Sequence, residues 1–139
     1  MNAANSHAQP TKTLIVEGKT DRRRLRQVLA EPVEFILTYG TLGEEKIEEL
    51  IRPLADLDDV YVLVDADDSG NKLRNILKQE LPNARHLYTR KMYREVATTP
   101  PEFLAEVLHR AHFEVHPEWL EPLPPSQEEE EEEEEEEEA

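Results

Sequence analysis

The sequence contains no cysteine and only four glycines among 139 residues. The first absence excludes a disulfide framework and any zinc site built on thiolates, and it suits a reducing compartment. No apolar run approaches the roughly 20 residues that span a bilayer, and the opening MNAANSHAQP lacks the hydrophobic segment of a secretory leader. A cytoplasmic protein with no membrane partner is expected. Basic charge is also scarce: 16 Lys and Arg face 32 Asp and Glu, a formal net charge of -16. That balance argues against nucleic acid, whose phosphates attract cations, until its distribution is considered. Eleven of the acids are the glutamates of residues 128–138, which leaves 21 acids against 16 bases, a net -5, on the rest of the chain.

At this length one compact domain is expected. Residues 1–11 are small, polar and unpatterned and read as an arm; residues 12–116 read as the domain. Residues 117–139 carry prolines at 117, 122, 124 and 125 before the glutamate run, and read as an extended linker and a disordered tail. Within the domain, residues 13–16, 33–38, 60–64 and 85–89 form four short strand-like runs, three of them almost continuously apolar. Amphipathic helical patterns lie between them, carried by Leu25, Val28 and Leu29, by Ile47, Leu50, Ile51 and Leu54, and by Leu73, Ile76, Leu77 and Leu81. Thr41 and Glu44 have capping-box spacing for the second helix, and Pro100-Pro101 opens another helix with an apolar face from Phe103 to Ala111. This alternation predicts an α/β fold, a three-layer α/β/α domain around a four-stranded, mostly parallel sheet.

The four glycines, Gly18, Gly40, Gly43 and Gly70, each follow the C-terminal end of one of the first three strands. Open α/β sheets bind ligands at that edge, where backbone must come close, although short strand-to-helix turns use glycine as well. Carboxylates collect at the same edge. Glu17 ends the first strand, and LVDADDSG puts Asp65, Asp67 and Asp68 at the end of the third. If those strands are neighbours, Glu17, Asp65 and Asp67 converge. Two unit charges ~5 Å apart repel by about 3 kcal/mol at an effective dielectric of ~20. Either protons are retained or a cation binds, and an all-oxygen cluster suits Mg²⁺ or Mn²⁺ and hence phosphoryl chemistry. Asp68 and Ser69 have the ordinary alternative of capping the following helix.

Lys19, Arg22, Arg23, Arg24 and Arg26 crowd the first helix beside Glu17. They form either a grip for a nucleic-acid backbone or a solvated charged face. Arg90, Lys91 and Arg94, with Tyr88 and Tyr93, extend the same choice along the sheet edge. His109, His112 and His116 could align on a helix as metal ligands, but Pro117 and the β-like HFEVH oppose a continuous helix there.

LIVEG followed later by VLVDADDSG, a strand ending Glu-Gly and a strand ending Asp-x-Asp-x-x-Gly, resembles the Toprim domain of primases, topoisomerases, recombination proteins and some nucleases. The likeness covers residues 12–89. IVEGKTD, TYGTL and YREVA are similar to the small stand-alone bacterial Toprim proteins, relatives of the ribonuclease that matures ribosomal RNA precursors. The resemblance implies that Glu17 is a general acid/base, that Glu17, Asp65 and Asp67 form the Mg²⁺ (or Mn²⁺) site, and that Gly18, Gly40 and Gly70 let backbone approach phosphate. Lys19, Arg22, Arg23 and Arg26 would bind nucleic acid, with RNA favoured. The sequence has no recognisable zinc ribbon, helicase-like segment or tyrosine-nucleophile domain, so Tyr39, Tyr61, Tyr88 and Tyr93 read as packing or stacking residues. Two functions stay open: Mg²⁺-dependent phosphodiester chemistry, as a nuclease or nucleotidyltransferase, or a non-catalytic binding module within a larger RNA-processing or DNA-repair assembly. A response-regulator-like α/β domain is a third reading, but it leaves Glu17-Gly18 unexplained.

Overall fold

Strands β1 (Lys12–Val16), β2 (Val33–Leu37), β3 (Val60–Val62) and β4 (Arg85–His86) form one sheet in the order β2-β1-β3-β4. The computed structural model describes residues 9–90 and 92–120. All three strand pairs are parallel, with Leu14 opposite Phe35 on one side and Tyr61 on the other. The chain therefore crosses back over the sheet after every strand, and each crossover supplies helix to cover it. Strand alternation divides the core. Leu14, Val16, Tyr61 and Leu63 pack with α1 (Lys19–Val28) and α4 (Pro101–Arg110), while Ile15, Val62 and Val64 pack with the second helical segment and α3 (Asp68–Glu80). This is the expected three-layer α/β/α domain.

The second helical segment departs from a plain amphipathic helix. It starts as a single turn, α2 (Glu44–Lys46), widens into a π-turn over Ile47–Ile51 and tightens into a 3-10 turn over Arg52–Asp56. Pro53 has no N–H to give to the preceding turn, and its ring crowds the carbonyl four residues back, so regular α-geometry cannot run through it. The apolar pattern survives the distortion: Ile47, Ile51 and Leu54 are buried. The capping box does not form. Gly43 occupies the N-cap, and Glu44 pairs instead with Arg52 at 2.7 Å.

Past α4, Val115 bridges Leu29 and the His116 N–H donates to the Val28 carbonyl at 2.9 Å. Pro117–Leu120 then makes a 3-10 turn with Trp119 against the core, so the folded body continues beyond residue 116. The proposed arm up to residue 8 and the glutamate tail lie outside the described residues.

Candidate functional site

Because β1 and β3 are parallel neighbours, their chains emerge at the same sheet edge, and Glu17 meets the segment leaving β3. The Asp65 N–H donates to Glu17 Oε1 at 2.7 Å. Asp65 Oδ1 in turn accepts the Val96 N–H at 2.9 Å, while the Ala66 N–H donates to the Arg94 carbonyl at 2.7 Å. The segment between β4 and α4 is thus tied down across the end of β3. Asp67 is the N-cap of α3, its Oδ1 accepting the Gly70 N–H at 2.7 Å. The capping role that the sequence suggests for Asp68 and Ser69 therefore falls on Asp67, and those two residues begin the helix.

Two further carboxylates join this edge. Asp21, in the first turn of α1, is only 8% exposed and accepts the Gly18 N–H at 3.0 Å. Glu95 acts electrostatically on both Asp21 and Asp65. Burial holds Glu17 above the ordinary glutamate range, and the charges of Asp65, Asp67 and Asp21 push the same way against the opposing Asp65 N–H. Asp65 is raised first by burial and then by Asp67 and Glu95, against the Val96 N–H. Asp21 is raised by burial, then by Asp65. Among the described residues none of Glu17, Asp21, Asp65 or Asp67 has an ion-pair partner within 4.0 Å. A buried cation does stand nearby: Arg74 of α3 donates to the Val64 carbonyl at 3.2 Å and the Leu87 carbonyl at 2.7 Å, and its charge is felt at Glu17.

Glu17, Asp65 and Asp67 each commit one oxygen to a backbone N–H, and the second has no protein donor among the described residues. No three His, Asp or Glu groups among the described residues lie close enough to cage a metal ion. This donor set fits a hard cation held by one or two carboxylates, with water and phosphate oxygens completing its shell, and does not fit an all-protein cage. The three histidines share no helical face: His109 lies in the last turn of α4, His112 has a φ of 70° beyond it, and His116 leads into the 3-10 turn.

The candidate glycines have unlike surroundings. Gly18 is the N-cap of α1, and Gly40, at a φ of 100°, stands in open space in the turn after β2. A Cβ at Gly70 would sit 1.8 Å from the Asp65 carbonyl oxygen, so the close approach there is to the protein's own backbone. Tyr39, beside Gly40, adopts a φ of 53° while its N–H donates to the Glu17 carbonyl at 2.7 Å. The residue is 59% exposed, which removes it from the packing residues.

Lys19, Arg22, Arg23 and Arg26 recur at helical spacing on the outer face of α1, where with Gln27 they line an open groove of ≈ 410 Å³. None of the four is ion-paired among the described residues. Arg24 points elsewhere and donates to the Thr99 carbonyl. The second basic patch is committed to structure only in part: Arg90 pairs with Glu106 at 2.7 Å and lies 4.1 Å from the Phe103 ring, against which Tyr93 also packs, whereas Arg94 is exposed. Tyr88 is exposed under Arg74 at 4.1 Å, and Lys91 lies outside the described residues.

Asp21, Glu95 and Arg74 are the site residues that sequence reasoning missed. YREVA carries Glu95, but nothing local to that segment reveals that it crosses the end of β3.

No protein-family model matches the chain. It is 48% identical over 110 residues to the uncharacterized protein YusF of Bacillus subtilis, covering 79% of this chain and 75% of the relative. It is 33% identical over 75 residues to ribonuclease M5 of Mycoplasma genitalium, a match to 54% of this chain that spans only 41% of the ribonuclease. Among solved structures, a small Toprim domain protein from Bacillus stearothermophilus superposes with a TM-score of 0.75 at 44% identity, covering 81% of this chain and 95% of that one. At 44% identity, with a TM-score of 0.75 and near-complete coverage of that structure, the chain belongs to the small Toprim domain proteins.

Proposed function

We propose that this protein performs or assists Mg²⁺-dependent phosphodiester chemistry, cleavage or nucleotidyl transfer, on nucleic acid, with RNA as the substrate class. The observation that carries the reading is the meeting of Glu17 and Asp65: desolvated carboxylates, Glu17 raised by burial and by the Asp65 charge, Asp65 by burial and by Asp67 and Glu95, with no ion-pair partner among the described residues. Carboxylates left in that state are functional-site candidates because the fold retains them against their own repulsion. A raised Glu17 is suited to take or give a proton at a ribose hydroxyl or an attacking water. Asp65 and Asp67 are the residues that would hold the cation, oriented by the Val96 and Gly70 N–H groups. When bound, Mg²⁺ would offset the carboxylate charge and stabilise negative charge on a phosphoryl oxygen. The α1 face would position the phosphate backbone. The RNA preference rests on the ribonuclease relatives, of which this chain spans less than half.

The test is turnover of a panel of structured and single-stranded RNAs with Mg²⁺ or Mn²⁺ by the wild type and by Glu17→Gln and Asp65→Asn. Wild-type turnover that both substitutions lower by at least 100-fold supports the reading, since a positioned acid/base alone contributes about 10²–10⁴. Undiminished turnover in both defeats it. A second reading, a non-catalytic module that binds Mg²⁺ and nucleic acid within a larger assembly, is favoured by the short stretch, less than half of each ribonuclease, over which the chain matches those relatives. Binding without turnover across the panel selects it.

A further inference from the structure

The unpaired cations of α1 lie one helix away from the point where the described chain ends, and the excess acid follows that point in sequence. Lys19, Arg22, Arg23 and Arg26 line a groove and have no ion-pair partner within 4.0 Å among the described residues, and Arg26 also stands 5.4 Å from the Phe35 ring. The described chain touches the last turn of α1 and then ends against α4, which itself packs on α1. The His116 N–H is bonded to the Val28 carbonyl at the last turn of α1, and Trp119 packs in the cluster that holds Leu25 and Val28. Four residues, 117–120, follow His116 in the described chain, and seven more precede the eleven glutamates of residues 128–138.

Reach is sufficient. Eight residue steps from Leu120 to Glu128 span up to about 26 Å. The nine steps from Val28 back to Lys19 along α1 cover only about 14 Å. With α4 and α1 packed at the usual ~8–10 Å between axes, that tether lets the glutamates reach the stripe without any movement of the body. Complementarity points the same way, because the acid of the run outnumbers the four stripe cations and is the largest block of like charge in the chain.

We infer that residues 128–138 dock intramolecularly on the Lys19–Arg22–Arg23–Arg26 face of α1 and occupy it as a tethered polyanion in place of a phosphate backbone. Docking itself rests on charge and reach; its consequence, competition with nucleic acid, rests on the function proposed above. A tether of this length gives an effective concentration on the order of millimolar, enough for weak carboxylate–guanidinium contacts to fill the face. If the tail holds the face nine-tenths of the time, the apparent affinity for phosphate falls about tenfold. Both interactions are screened by salt, so the difference narrows above physiological ionic strength.

Docking is read without any nucleic acid by zero-length carbodiimide cross-linking of the full chain, mixed as ¹⁴N and ¹⁵N protein, with mass-spectrometric mapping. Expected are amide cross-links from Lys19 to residues 128–138 within one isotopic chain, lost when Arg22, Arg23 and Arg26 are changed together to Gln. Cross-links spread evenly over Lys46, Lys72 and Lys78, or formed chiefly between isotopes, overturn intramolecular docking. The second arm measures binding of a fluorescent single-stranded oligouridylate by the wild type and by a full-length variant with residues 128–138 changed to Gln. About tenfold tighter binding by the Gln variant at low salt supports competition. Equal affinity overturns competition, whereas failure of both proteins to bind while the Lys19 cross-links persist sinks the nucleic-acid reading and leaves docking standing.

Discussion

A side chain at position 70 has nowhere to go: its Cβ would meet the Asp65 carbonyl oxygen at 1.8 Å, in a buried turn whose amide also caps against Asp67. Gly70→Ala should therefore cost about 1–3 kcal/mol or more in chemical denaturation, as overpacked sites do, and should disturb the Asp65 and Asp67 carboxylates together. Wild-type stability in Gly70→Ala would show that the turn yields freely. His86 gives a pH signature. Burial, then Arg74 and Lys78, pull it from 6.5 to about 4, and because arginine can only donate, its Nδ1 accepts from Arg74 at 3.1 Å. A base with a depressed folded pKa supports the fold above its unfolded value and loses that support as pH falls towards the folded one. Between pH 6.5 and about 4 the wild type should lose stability that His86→Gln retains, a difference visible in thermal melts. Parallel curves for the two proteins would refute it. At this scale the sequence is a partial guide. Glu17 is conspicuous because a carboxylate ends an apolar strand, whereas Asp21 hides behind the ordinary reading of an acid in a first helical turn. Only the folded chain shows that the same carboxylate is buried beside Asp65.

Along α1, adjacent arginines have opposite assignments. Arg23 is exposed on the grooved face, while Arg24 donates to the Thr99 carbonyl and joins α1 to the turn before α4. Arg23→Ala should leave the melting temperature nearly unchanged and reduce the salt dependence of single-stranded RNA binding by about 0.7 in the log–log slope, the value of one lost phosphate contact. Arg24→Ala should cost about 1.5–3 kcal/mol of stability, the range for hydrogen bonds to charged groups, with little change in slope. Interchanged outcomes would mean that the two faces of α1 have been assigned the wrong roles. Element order was legible because apolar runs and helical spacing are local signals, and they survive in all four strands and in α1, α3 and α4. The second helical segment was not, although its cause, Pro53, is plain in the sequence: an apolar stripe specifies which residues are buried but not how the backbone winds between them. The crossing of residues 94–96 over β3 was invisible for a different reason, since it is fixed by hydrogen bonds to Asp65 and Ala66 from a segment distant in sequence.

For the whole molecule, the acidic edge links stability to protons and to cations. Burial and mutual repulsion raise the folded pKa values of Glu17, Asp21 and Asp65 above 4.5, 3.8 and 3.8. Groups of this kind bind protons more tightly folded than unfolded, so their contribution is fully present below the unfolded values and is lost as pH rises through the folded ones. At neutral pH the carboxylates are therefore a liability, and any cation that binds only the folded edge should relieve it. Mg²⁺ at ten times its dissociation constant adds about 1.4 kcal/mol, or roughly 3–6 °C in melting temperature for a body of this size. Protons and Mg²⁺ compete for the same oxygens, so that gain should shrink as pH falls towards 4.5. Asp65→Asn should behave oppositely to an ordinary buried-site substitution: it removes one of the repelling charges, keeps an oxygen for the Val96 N–H, and so should hold or raise neutral-pH stability without Mg²⁺ while abolishing the Mg²⁺ increment. Glutamates 128–138 attract cations on their own, but they are present in wild type and variant alike, so the difference between the two melts belongs to the edge. An Mg²⁺ increment that persists in Asp65→Asn would place the cation elsewhere on the molecule and would take the phosphoryl chemistry from Glu17, Asp65 and Asp67 with it.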